Sequence, residues 1–173
     1  MKILKLFLAS SSELKKDRGE FRVFISEENK VLVKRNLFIE VELWEDFNDS
    51  MAQSGLQDKY NEAVRSCDFF VMLFFSKVGK YTREEFETAF DQFKETNKPL
   101  IYTYFKNFTT KIGDIKRDDI QSLWKFQDRL QALGHYQTLY ENMGTLKLHF
   151  KNQLHKHLNS KCLCSYAQRV EHQ

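Results

Sequence analysis

A doubly wound α/β domain, a parallel five-stranded sheet with helices on both faces, is the architecture this sequence predicts. Three observations lead to it. Apolar runs of strand length alternate along the chain with segments of helical period. The run "DFFVMLFFS" from Asp68 is apolar on both of its alternating faces, as a central strand covered from each side must be. And 173 residues with 42% hydrophobic content supply one sizeable core but are short for two.

The strands are predicted at Ile3–Ala9, Leu37–Leu43, Phe69–Phe75, Leu100–Phe105 and, more weakly marked, His135–Leu139. A first helix from about Ser12 to Glu28 turns Phe21, Phe24 and Ile25 inward, and Leu56, Tyr60, Ala63 and Val64 mark a second. Thr82–Glu95 is the clearest, because Phe86, Ala89, Phe90 and Phe93 fall at i, i+3, i+4 and i+7. Ile120, Leu123, Trp124 and Leu130 mark a fourth helix, and Met143, Leu146, Phe150 and Leu154 a last. The single proline, Pro99, stops the third helix before its strand. Residues 106–117 read as a surface loop, and the chain divides into a domain over 1–158 and a flexible tail over 159–173.

Composition excludes several classes. The 27 basic and 24 acidic residues leave a net charge of +3 with no long basic block, too little for a dedicated nucleic-acid binder. Three cysteines, Cys67, Cys162 and Cys164, make no disulfide framework and suit a reducing cytoplasm. The opening "MKILKLFLASSS" is interrupted by Lys5 and is too short in its apolar part for a signal peptide, and no stretch is long enough to span a membrane. No metal site is expected: the carboxylates Glu45, Asp46 and Asp49 lack a nearby histidine or a calcium-loop spacing, and Cys162-x-Cys164 lacks partners. His149, His155 and His157, interleaved with Lys147, Lys151 and Lys156, read as a solvated basic face. Cys67, at a helix end beside the buried strand, is not expected to be a free nucleophile.

In an open parallel sheet, ligands bind beyond the carboxyl ends of the strands. That rule selects Ala9–Glu13, Trp44–Ser54 and Ser76–Glu85. Ser10-x-x-Glu13 and Thr82-x-x-Glu85 both have the spacing of a capping box, in which hydroxyl and carboxylate satisfy the first amides of a helix. The same serines could instead offer hydroxyls, with the helix amides, to a phosphate or ribose. The second stretch is longer than the usual strand-to-helix connection, and such loops often carry function.

In the third stretch "YTREE" places Tyr81, Thr82 and Glu85 at the mouth of the best-defined helix, after "CDFFVMLFFS". With "LFLASSS" at the first strand and "LWEDFNDSMAQSG" after the second, the chain from 1 to about 157 resembles the Toll/interleukin-1 receptor (TIR) domains, in particular the bacterial TIR-like branch that consumes NAD+. The loop lacks the Pro-Gly pair of receptor and adaptor members, and the first box lacks their acidic residue and final tyrosine.

The resemblance implies a three-layer, flavodoxin-like fold and an NAD+ glycohydrolase or cyclase acting as an effector in bacterial immune or cell-death signalling. Glu85 is then the catalytic residue, with Phe7, Ser10, Ser11, Trp44, Asp46, Ser76, Tyr81 and Thr82 around the substrate. NAD+ enters as substrate, with no cofactor. Further partners implied are copies of the same chain, as oligomer or filament, and a regulatory sensor domain or chain, without direct contact to nucleic acid or membrane. Glu84, a neighbour at about 100° around the helix, is expected to face solvent. Two other readings stay open: a non-catalytic module that scaffolds partners through the Trp44–Gly55 loop, and a nucleoside deoxyribosyltransferase-like enzyme.

Overall fold

The computed structural model describes residues 1–43, 55–78, 80–107 and 116–170, without the side chains of residues 12, 56, 57, 80, 81 and 160–170. Five strands, β1 (Lys2–Ser10), β2 (Leu37–Leu43), β3 (Phe69–Phe74), β4 (Leu100–Lys106) and β5 (Thr138–Tyr140), pair in the order β2-β1-β3-β4-β5. Every pairing is parallel. Between and after them run α1 (Lys15–Leu32), α2 (Gly55–Ser66), α3 (Lys80–Thr96), α4 (Arg117–Ala132) and α5 (Met143–Val170).

Strand alternation sorts the core into two layers. Leu4, Leu6, Leu8, Phe69, Val71, Leu73 and Tyr104 point to one face, where Phe21 and Ile25 of α1 and Leu146, Phe150 and Leu154 of α5 cover them. Phe7, Ala9, Phe70, Met72, Phe74 and Phe105 point to the other, under Val64 of α2, Phe86 and Ala89 of α3, and Phe126 and Leu130 of α4. Aromatic edges lock both layers: Phe21 meets Phe150 at 5.1 Å between centroids, and Phe86 meets Phe126 at 5.0 Å. All six residues of β3 are buried, as its two-faced apolar pattern requires.

Several boundaries differ from those the sequence predicts. A 3-10 turn over Ser12–Leu14 precedes α1, so the helix proper starts at Lys15 and continues to Leu32. The third helix begins at Lys80, two residues before Thr82. At its other end Asn97 takes a left-handed conformation (φ 57°) and donates its amide to the Phe93 carbonyl at 2.8 Å, so an asparagine cap precedes the proline stop. The last strand lies at Thr138–Tyr140, three residues beyond the predicted start; His135 sits in the preceding turn, its ring 3.0 Å from the Thr103 hydroxyl. Trp124 is 57% exposed, and Phe126 with Leu130 forms the buried stripe of α4 instead. The last helix continues to Val170 through the segment read as a tail, which holds no Gly or Pro to break a helix once propagated. Most of the predicted 106–117 loop, residues 108–115, lies outside the described residues.

Candidate functional site

The strand order reverses between β1 and β3, since β1 leads into α1 on one face and β3 into α3 on the other. Register pairs Ser10 with Leu73, so the carboxyl ends of these two strands lie side by side. The segments leaving them join Ser11 and Ser76 through Glu13, and the segment after β3 leads on into α3.

Glu85 is the unusual member. It falls one residue before Phe86 on the stripe that α3 buries, and it is only 7% exposed. Among the described residues no hydrogen bond or ion pair reaches its carboxylate. Burial lifts its carboxyl to about 7, with the charge of adjacent Glu84 adding to the rise. The capping-box reading of Thr82 and Glu85 fails on geometry, because the helix starts upstream and Thr82 already lies inside it. Glu84 is corrected as well: it is half-buried and accepts a hydrogen bond from Asn61 Nδ2 of α2 at 3.4 Å, so it leans on a neighbouring helix and not into solvent.

The serines separate into two roles. Ser10 is buried, and its Oγ accepts a hydrogen bond from Arg18 Nη1 at 2.5 Å while donating to the Ser11 carbonyl at 3.2 Å. It belongs to the wall of the molecule, held from inside. Ser11 and Ser76 stand at the surface edge, and both donate to Glu13: Ser76 Oγ to Oε1 at 2.6 Å and Ser11 Oγ to Oε2 at 3.3 Å. The Ser10-x-x-Glu13 spacing therefore does not close a capping box; Glu13 turns across to the segment after β3.

Phe7 is corrected too. It is wholly buried in the α2–α4 layer with its ring 5.9 Å from that of Phe70, so it is core and forms no wall of an open cleft. Thr82 is half-buried on the first turn of α3. Trp44, Asp46 and the Tyr81 side chain lie outside the described residues, as does the rest of the 44–54 loop. Glu85 lines none of four cavities bounded by described residues; one of them, of about 340 Å³, lies under Phe86, Phe90, Phe93, Tyr102 and His135 near the start of β4, and another lies between Arg83 and Glu87 of α3 and Phe126 of α4.

Two buried charged groups in the first turn of α1 escape sequence reasoning. Arg18 is almost fully buried, and besides Ser10 Oγ its Nη1 reaches the Ser11 carbonyl at 3.2 Å. Asp17 is buried beside it, accepting from Lys106 Nζ at 2.9 Å and from Tyr140 OH at 2.9 Å, which ties α1 to the ends of β4 and β5. The signal was present for Arg18: it lies on the stripe Leu14, Arg18, Phe21, Ile25, where a charge is out of place unless paired inside. The three histidines of α5 are likewise not a solvated face. His149 Nδ1 lies 3.1 Å from Tyr104 OH, His157 sets its ring edge on Phe69, and His155 approaches Glu28 at 3.5 Å. Cys67 is buried, with its thiol pushed up to about 12 by that burial.

No protein-family model matches the chain, and no curated protein matches it in sequence. Among solved structures it is similar to a CMP N-glycosidase, BcmB, from Clostridium botulinum, at a TM-score of 0.52 and 12% identity, covering 85% of this chain and 98% of that one. It is also similar to the TIR domain heterodimer of RPS4 and RRS1, at a TM-score of 0.49 and 10% identity over 90% of this chain and 97% of that one. At 12% identity the likeness to the N-glycosidase is one of fold: a five-stranded parallel α/β sheet with helices on both faces.

Proposed function

We propose that this chain cleaves the N-glycosidic bond of a nucleotide, with NAD+ as substrate and Glu85 as the catalytic carboxylate. The observation that carries the reading is the burial of Glu85, with no partner among the described residues, on the second turn of the helix that follows β3, whose carboxyl end adjoins that of β1. Keeping a carboxylate in such a place costs stability unless something else is gained, which is why groups of this kind mark functional sites. The sequence resemblance to NAD+-consuming TIR-like domains and the fold shared with an N-glycosidase point the same way.

The chemistry suits a single acid. When the bond between ribose C1′ and the nicotinamide nitrogen breaks, the electron pair leaves with a ring that was already cationic, so the leaving group needs no proton. Positive charge develops on the sugar, and an ionised Glu85 facing it stabilises that charge in a site shielded from water. Water then adds its oxygen to C1′ and releases a proton, giving ADP-ribose; attack by the adenine instead gives a cyclic product. A leaving group that departs neutral as an oxygen would require a second acid.

A nucleoside monophosphate is the second substrate class, favoured by the fold neighbour that acts on CMP. Cytosine is a poorer leaving group and would draw on the protonated form of Glu85. Incubating concentrated protein with NAD+ and separately with CMP, and separating the products by chromatography, decides between them. Nicotinamide from NAD+ and no cytosine from CMP is expected, with both products absent for Glu85→Gln. Free cytosine alone would move the assignment to the second class. No product from either at any concentration would leave a binding module. Effector action in immune or cell-death signalling, self-assembly and a regulatory partner are further parts of this proposal, supported by the sequence resemblance.

A further inference from the structure

We propose that Glu13 is the residue that reads the vicinal hydroxyls of the substrate ribose, an inference that rests on the N-glycosidase reading above. Its spacing from Ser10 suits helix capping, yet its carboxylate is spent elsewhere. Each of its two oxygens accepts one hydroxyl hydrogen, Oε1 from Ser76 and Oε2 from Ser11. A 2′,3′-diol presents the same pair of donors to one carboxylate, so the two serines occupy the positions that sugar hydroxyls would take.

Three features suit Glu13 to this role. It is exposed, so a sugar can displace the serine hydroxyls by trading one O–H···O bond for another. Asp17, by contrast, is buried with both oxygens held by Lys106 and Tyr140, and is closed to a ligand. Glu13 also bridges the segments that leave β1 and β3, and the second of these leads into α3, which carries Glu85, so diol recognition and the C1′ carboxylate would come to one ribose from two elements. Finally, the buried Arg18 grips the Ser10 side chain and the Ser11 carbonyl, which fixes the backbone that carries Glu13 before any ligand arrives.

The test is calorimetric binding of NAD+ and of its analogue with 2′-deoxyribose on the nicotinamide side, to the wild type and to Glu13→Gln, with nicotinamide release followed in parallel. Wild type is expected to bind NAD+ roughly tenfold more tightly, the effect of one hydrogen bond to a charged group. In Glu13→Gln the preference should shrink to within about twofold, KM should rise more than kcat falls, and Glu13→Asp should restore part of the preference. Equal affinity of the wild type for the two ligands overturns the inference whatever the turnover, as does a preference that survives intact in Glu13→Gln. A wild type that shows the preference but releases no nicotinamide overturns the enzymatic reading and leaves the role of Glu13 standing. Binding of neither ligand overturns both.

Discussion

At the scale of the residue, Glu85 carries opposite consequences for stability and for activity. Its carboxyl is raised from 4.5 to about 7 in the folded protein. The folded state therefore holds the proton more tightly than the unfolded chain, and the stability this brings is complete below pH 4.5 and lost as pH rises through 7. Glu85→Gln has no charge to bury. In urea denaturation it should gain on the wild type by on the order of 3 kcal/mol between pH 4.5 and pH 8, where a capping residue, which glutamine can replace, would change stability little. On the proposed function activity runs the other way, because the ionised form is then the one that stabilises the sugar cation: kcat should climb with pH on a limb centred near 7. Spacing gave Glu85 the use of a cap, and the family resemblance gave it that of a catalytic residue. The start of α3 at Lys80 removes the cap. Phe7 shows the converse, an aromatic whose alternation in β1 allowed either face and whose burial at the sheet centre settled it as core.

At the scale of the element, α1 does more than its apolar period suggests. Besides packing Phe21 and Ile25, it sends Asn29 to β2, where Oδ1 accepts the Ile39 amide at 2.8 Å and Nδ2 donates to the Ile39 carbonyl at 2.8 Å. The amide side chain thus acts as a further strand partner at the sheet edge. Asn29→Ala leaves both Ile39 groups buried without that partner and should cost about 2–4 kcal/mol, read as a lower urea midpoint with an unchanged m-value. The same helix carries Glu28, buried and bonded to Lys151 Nζ of α5 at 2.6 Å. Periodicity located α1, α3 and the buried faces of α5, because amphipathic stripes are set by local spacing. It missed Arg18, Asp17 and Glu28 as interior groups, because their partners at Ser10, Lys106 and Lys151 are brought to them only by the folded sheet. For the same reason the α5 histidines, read as a basic face, proved to be packing contacts with Tyr104, Phe69 and Glu28.

At the scale of the molecule, the doubly wound parallel sheet was legible because βα alternation leaves few arrangements, and β3 announced its central place by its apolar pattern on both faces. In the described part of the candidate site the segments after β1 and β3 supply Ser11, Glu13 and Ser76, and α3 supplies Glu85. If copies of the chain complete the site, nicotinamide release should rise more steeply than linearly with protein concentration in a dilution series, and stay linear if each chain acts alone. The measurement that reaches the central claim most directly is nicotinamide release from NAD+ by the wild type and by Glu85→Gln side by side at pH 8, with circular dichroism confirming that both are folded. The wild type is expected to release nicotinamide and the variant to lose at least a hundredfold, roughly the weight of one charge-stabilising group. Equal rates from the two proteins would contradict that claim.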